Sequence, residues 1–282
     1  MLPLSAAPFD IDHVIVAGRD LKAMQAALAA VGLASEYGGP HTNHATEMSL
    51  TSFPDGSYLE LLAMQPNADA KAVAAYVWAK QIESQPGPCA WVVRVKDFDG
   101  EIKRLREAGV KVDDAVRNGR VRPDGTRLEW EAAKIGEDPT GTFFPSLEHD
   151  FTPRQNRASL TGKPTTRDFG GVAKVVIAVR DMDRAIQRFH QAYGVPPPIK
   201  QVDAAFGAQL ALLGNIPVIL AAPLNGRSWL NDRLARFGEG PCAFVLSARR
   251  PGAYKPASRT RWFGVDISWF DAEKLGWRLG YE

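Results

Sequence analysis

Apolar and polar positions recur along this chain as a unit, and the unit returns. From Ile11 the sequence reads IDHVIVAGRDL, an apolar run rich in β-branched residues, then a short turn, then Asp20 placed to cap a helix. Leu21, Met24, Leu28 and Val31 follow at helical spacing, and Gly32 stops the helix. The same pattern begins again at CAWVVRVKDF and continues through Ile102, Leu105 and Gly109. Asp97 lies 77 residues after Asp20 and Gly109 lies 77 after Gly32, so no gap falls inside the helix. A third copy starts at AKVVIAVRDM, with Met182, Ile186, Phe189 and Tyr193 lining the helix before Gly194. The fourth start, Pro241-Cys242-Ala243-Phe244, mirrors Pro88-Cys89-Ala90-Trp91, but Arg249-Arg250-Pro251-Gly252 and Pro256 interrupt the place of its helix.

After each of the first three helices the pattern changes to strands. HATEMSLTSF and GSYLELLAM flank the turn Pro54-Asp55-Gly56; TRLEWEAA, opened by Pro123-Asp124-Gly125, precedes TFFPSLEHDF; AQLALLG precedes PVILAAP. Each unit is therefore βαβββ, and the predicted class is α+β: four modules in two pairs, the last without its helix. The predicted domains are 1–151 and 170–282, joined by the polar, Pro- and Gly-broken segment 152–169.

Charge and composition narrow the partners. The 34 Lys and Arg against 32 Asp and Glu leave a net +2 over 282 residues, which gives no electrostatic reason to expect nucleic acid or an anionic membrane surface. No run approaches the roughly 20 apolar residues of a membrane helix, and residues 1–9 lack a signal peptide's basic start and apolar core. A cytoplasmic location is expected. Cys89 and Cys242 are the only cysteines, too few for a disulfide framework or a thiolate zinc site, and are expected to be buried thiols.

Five short motifs in order carry a resemblance: Ile11-Asp12-His13, Gly38-Gly39-Pro40-His41, Tyr58-Leu59-Glu60-Leu61, Arg122-Pro123-Asp124-Gly125 with Trp130, and Phe144-Pro145-Ser146-Leu147-Glu148. Across residues 10–151 the chain resembles the glyoxalase-like branch of the vicinal oxygen chelate superfamily. The resemblance implies cupped sheets holding one divalent metal ion (Mn, Fe, Ni, Co, Mg or Zn) through His13, Glu60 and Glu148. The repeat offset places Ala90 opposite His13, which leaves the fourth position without a ligand. One imidazole and two carboxylates form a hard site suited to Lewis-acid chemistry on neighbouring substrate oxygens. Glu60 and Glu148 are thus the expected catalytic carboxylates, one of them free to act as a base.

His41 matches the resembled GGxH and is expected to line the pocket; His44 has no such support, His149 alternates away from Glu148, and His190 lies within the third helix. Arg94 shares a face with Ala90 and Val92, where it would clamp a substrate anion or pair with a glutamate. Trp91 and Trp130 are expected to pack the helix layer, and Met48 stands where the resembled family has Asn. In the C-terminal pair Lys174 takes the place of His13, and Val218, Ile219 or Leu220 that of Glu60, so this pair is expected to be metal-free. Shaping the site or a homodimer contact is the role left to it. The expected activity is that of a metal-dependent isomerase or lyase acting on a small molecule. The alternatives are a ring-cleaving dioxygenase, which needs a second histidine such as His41, and a small-molecule binding protein without turnover.

Overall fold

A computed structural model of the chain describes residues 9–122 and 124–282; Pro123 of the second Pro-Asp-Gly turn lies outside the described residues. The first half contains β1 (Asp10–Ala17), α1 (Leu21–Ala30), β2 (Glu36–Pro40), β3 (Thr46–Ser52), β4 (Tyr58–Met64), α2 (Ala70–Ala74), α3 (Ala79–Ile82), β5 (Gly87–Arg94), α4 (Phe98–Glu107), β6 (Val116–Val121), β7 (Arg127–Lys134) and β8 (Ser146–Asp150). One short helix, α5 (Arg154–Ala158), precedes the second half. There follow β9 (Phe169–Ala178), α6 (Met182–Tyr193), β10 (Ile199–Asp203), β11 (Ala208–Leu212), β12 (Val218–Pro223), α7 (Trp229–Phe237), β13 (Gly240–Ala248), β14 (Ser258–Trp262), β15 (Val265–Trp269), α8 (Ala272–Leu275) and β16 (Arg278–Tyr281).

The three repeated aspartates do cap the three repeated helices. Asp20, Asp97 and Asp181 accept backbone N–H bonds from Ala23, Gly100 and Arg184 at 3.0, 2.9 and 3.0 Å. Gly32, Gly109 and Gly194 end those helices at φ of 89°, 76° and 61°, a region that penalises any side chain. Where the fourth helix would stand, Pro251–Ala253 form only a 3-10 turn.

Each half is one eight-stranded sheet, ordered β2-β3-β4-β1-β5-β8-β7-β6 and β10-β11-β12-β9-β13-β16-β15-β14. In both, two modules meet through their antiparallel first strands, and each first strand runs parallel to the last strand of its own module. This is the expected α+β architecture of two module pairs. A continuous apolar core lies under the helices of both halves. Phe189 and Tyr193 of α6 carry it across by packing against Phe143, Phe144 and Phe9 of the first half.

The opposite sheet faces differ. In the second half Val176, Ile219, Ala221 and Val245 are covered by Leu230 and Leu234 of α7, so that cup is filled with side chains. The strand register resolves the ambiguity at the Glu60 position: Glu60 pairs with Ile15 as Ile219 pairs with Val176. In the same frame Glu282 follows β16 at the place of Glu148, and Lys174 binds its carboxylate at 2.9 Å. Among the described residues no helix is long and apolar enough to cross a membrane.

Candidate functional site

The first half keeps its cup open. A cavity of about 470 Å³ is bordered by His13 and Ile15 of β1, Tyr58 and Glu60 of β4, Val92 of β5, Ser146 and Glu148 of β8, and by His41, Arg120, Trp130 and Arg157. Its volume falls within the range of roughly 300–1,000 Å³ usual for small-molecule sites.

A bulge in β1 sets the site's geometry. Ile11 opposes Val93 and His13 opposes Val92, so Asp12 is the extra residue. Its carboxylate is wholly buried and lies 2.6 Å from His13 Nδ1. Strict alternation would have put these neighbours on opposite faces; the bulge lets one orient the other. With Nδ1 held, His13 turns Nε2 toward Glu60, 3.6 Å from Oε2. The imidazole also stacks on Tyr58 with ring centres 4.5 Å apart.

His41 approaches from the other side. Its Nδ1 contacts Thr46 Oγ1 at 2.8 Å, and its Nε2 lies 3.9 Å from Glu60 Oε1. Burial lowers the pKa of this imidazole against the pull of Glu60, which favours the neutral form. Glu60 is 7% exposed, and among the described residues no donor makes a hydrogen bond to its carboxylate.

The segment expected to be a linker enters the site. After β8 the chain turns into α5, whose i,i+3 pair Arg154 and Arg157 points back into the cup. Arg157 is buried and donates to Glu148, to Asp150 Oδ1 at 2.6 Å and to Asp12 Oδ2 at 3.1 Å. Arg154 adds a 2.6 Å contact to Asp12 Oδ2. Burial by itself would raise the Asp12 pKa, but Arg157 and Arg154 overcome it and hold the carboxyl far below the usual range. Glu148 goes the other way: burial raises its pKa, and Arg157 offsets only part of the rise. Glu148 is thus held by a guanidinium, while Asp12, His13 and Glu148 offer ligating atoms within 4.8 Å of one another.

Among the described residues the expected trio of His13, Glu60 and Glu148 is not gathered as one set, since the group that is gathered has Asp12 in place of Glu60; His13 and Glu60 by themselves keep a spacing that a divalent cation could bridge. Metal–nitrogen and metal–oxygen bonds of about 2.0–2.2 Å place neighbouring ligands about 3.4 Å apart on a tetrahedron, near the observed 3.6 Å. The register sets Val92 opposite His13 and the buried Ala90 opposite Ile15, and neither side chain has a ligating atom.

Two expectations are corrected here. Arg94 does not line this cavity; it donates to the carbonyls of Ile11 and Asp55 at 2.9 and 3.2 Å and borders a separate cleft with Phe9, Val172 and Lys174. Beside the bulge and the Asp55 turn, those carbonyls draw the guanidinium away from the cup. Trp91 packs in the core as expected, but Trp130 stands on the cavity wall, 5.5 Å from the Arg157 guanidinium. His41 does line the cavity, as does Met48. His44 is exposed, His149 packs against Phe98 and Phe151, and His190 contacts the Val195 carbonyl. Sequence reasoning missed Asp12, Arg120, Arg154 and Arg157, for which a bulge, a buried basic strand residue and a turned-back linker left no periodic signal.

Sheet order and family match together place the chain in the vicinal oxygen chelate superfamily. The glyoxalase-like domain family matches residues 11–167, more than half of the chain, and the chain belongs to that family. No curated protein matches it in sequence. Among solved structures it is similar to a hypothetical protein from Staphylococcus aureus, at 13% identity over 97% of this chain and 99% of that one, with a TM-score of 0.66. It is also similar to a xylose isomerase-like TIM barrel/4-hydroxyphenylpyruvate dioxygenase fusion protein, at 12% identity over 99% of this chain and 50% of that one, with a TM-score of 0.57. Methylmalonyl-CoA epimerase from Mycobacterium tuberculosis matches 41% of this chain and 89% of its own, at 21% identity and a TM-score of 0.37.

Proposed function

We propose that the chain is a metal-dependent isomerase or lyase acting on a small substrate with neighbouring oxygen atoms. The observation that carries this reading is Glu60: a nearly buried carboxylate without a hydrogen-bond donor among the described residues, faced by two imidazoles in an open cavity. A buried charge needs a partner, and a cation between His13 and Glu60 supplies it. When bound, such an ion contributes Lewis acidity toward the substrate's oxygens.

The chain's own residues do the rest. Asp12 holds the His13 tautomer that leaves Nε2 free. Glu148, its pKa raised by burial, would take or return a proton at a carboxylate oxygen, and would be the further carboxylate to hold the ion if freed from Arg157. Trp78 and Trp130 line the cavity and give it an apolar wall.

Elemental analysis of protein purified without chelator tests this. Wild type should carry about one divalent ion per chain, and His13→Ala and Glu60→Gln should each lose it while keeping a native circular dichroism spectrum. Equal metal content in all three proteins overturns the assignment. A metal-free wild type leaves the small-molecule binding reading.

His41 supports a second reading. Its Nε2 lies 3.9 Å from one Glu60 oxygen while His13 Nε2 lies 3.6 Å from the other, and drawing both imidazoles onto one ion would give the two-histidine, one-carboxylate donor chemistry of non-haem iron oxygenases. Iron together with oxygen uptake on catechols favours the ring-cleaving dioxygenase; a tightly held ion without oxygen uptake favours the isomerase or lyase.

A further inference from the structure

We propose that Arg120 is the anion-recognising residue of this cavity and that the substrate is a small carboxylate with a second oxygen on the adjacent carbon, a 2-oxo or 2-hydroxy acid. The inference rests on the reading above, since it takes the same cavity as the place where substrate binds.

β6 carries the observation. Val116 and Val121 are 60% and 59% exposed, whereas Arg120 on the same strand is 5% exposed. Hydrophobic burial alone drives the opposite arrangement, because arginine is almost never fully buried without a partner. Such local violations concentrate where function requires them. Three arginines line the cavity, and two of them are matched: Arg157 by Asp12, Glu148 and Asp150, and Arg117 by Glu129. Arg120 forms no ion pair with any described residue. One of its amino nitrogens donates to the Gly38 carbonyl at 2.8 Å, and the other has no acceptor among the described residues.

A buried guanidinium with an idle N–H is a costly arrangement that a planar oxyanion would relieve once the side chain turns that N–H into the cavity it borders. Arg120 borders the same cavity as His13, His41 and Glu60, so an anion it holds shares that cavity with the His13–Glu60 pair. The oxygen on the carbon adjacent to such a carboxylate would be the second of the neighbouring oxygens that the reading above requires. Trp130, Tyr76 and Trp78 leave apolar surface for the remainder of a small molecule. A neutral substrate would give the idle N–H no charged acceptor.

Oxalate is the smallest probe with both features, and oxamide is its neutral counterpart. Calorimetric titration should show one oxalate per wild-type chain and no comparable oxamide binding. Arg120→Gln should weaken oxalate at least tenfold, with Arg120→Lys recovering part of the loss. Arg278→Gln, which alters a separate cleft also lined by Arg233 and Arg236, should leave the affinity unchanged. Metal content and circular dichroism should match wild type in each variant. The proposal is overturned if wild type binds no oxalate, if Arg120→Gln and Arg120→Lys both bind it as wild type does, or if Arg278→Gln removes the binding. A metal-free protein whose oxalate affinity still depends on Arg120 refutes the metal reading alone. A metal-bearing one whose affinity does not refutes only this one.

Discussion

At Asp12 one wholly buried carboxylate meets His13, Arg154 and Arg157, and the site's geometry depends on that meeting. Removing one member of a buried charge set leaves the others uncompensated, at a cost of about 3–5 kcal/mol. Asp12→Asn should therefore lower stability at neutral pH by about that amount in urea unfolding. The pH dependence follows from the depressed pKa. The folded state holds the proton less tightly than the unfolded one, so this contribution is present above the reference value of 3.8 and is lost as pH falls below it toward the folded value. The stability gap between wild type and Asp12→Asn should narrow as pH falls below 3.8, and a gap constant down to pH 2 would contradict the pairing.

Among the elements, α1, α4 and α6 are built from local rules and should respond to local changes. Asp20→Ala, Asp97→Ala and Asp181→Ala each remove one cap bond and should each cost about 1 kcal/mol in urea unfolding. The three caps stand on separate helices with no shared partner, so the triple variant should lose close to the sum. The other elements depend on what they pack against. α5 is five residues long and has no side-chain cap, yet it delivers Arg154 and Arg157 to acids on β1 and β8. α7 has ordinary helical patterning, but its place in the second cup comes from Leu230 and Leu234 meeting the face that bears Ile219. The same cup holds chemistry in one half and a helix in the other.

For the whole molecule, two sheets of one topology divide the work: the first presents a polar cavity, and the second closes the equivalent face and seals its ligand positions with the Lys174–Glu282 pair. Both thiols lie on the corresponding strands β5 and β13, where burial pushes Cys89 up and Cys242 up to about 12. Native protein should therefore resist a thiol reagent at neutral pH and yield two reactive thiols once unfolded; rapid labelling of the native state would contradict the packing. The repeat, the caps and the missing fourth helix were legible along the chain because they rest on neighbours within a few residues, where propensity and capping act. His13, His41, Glu60 and Glu148 were legible through motif order and strand alternation, and all four border the cavity. Arg94 and Trp130 were misplaced because alternation cannot foresee a bulge or a carbonyl that captures a long side chain. The sequence by itself thus determined the modules and the polar groups on their first and last strands, since both follow from short-range periodicity. Only the tertiary structure decided that Arg157 holds Glu148, that Asp12 orients His13 and that Arg120 is buried without an acid, because each of these depends on charges brought together from distant parts of the chain.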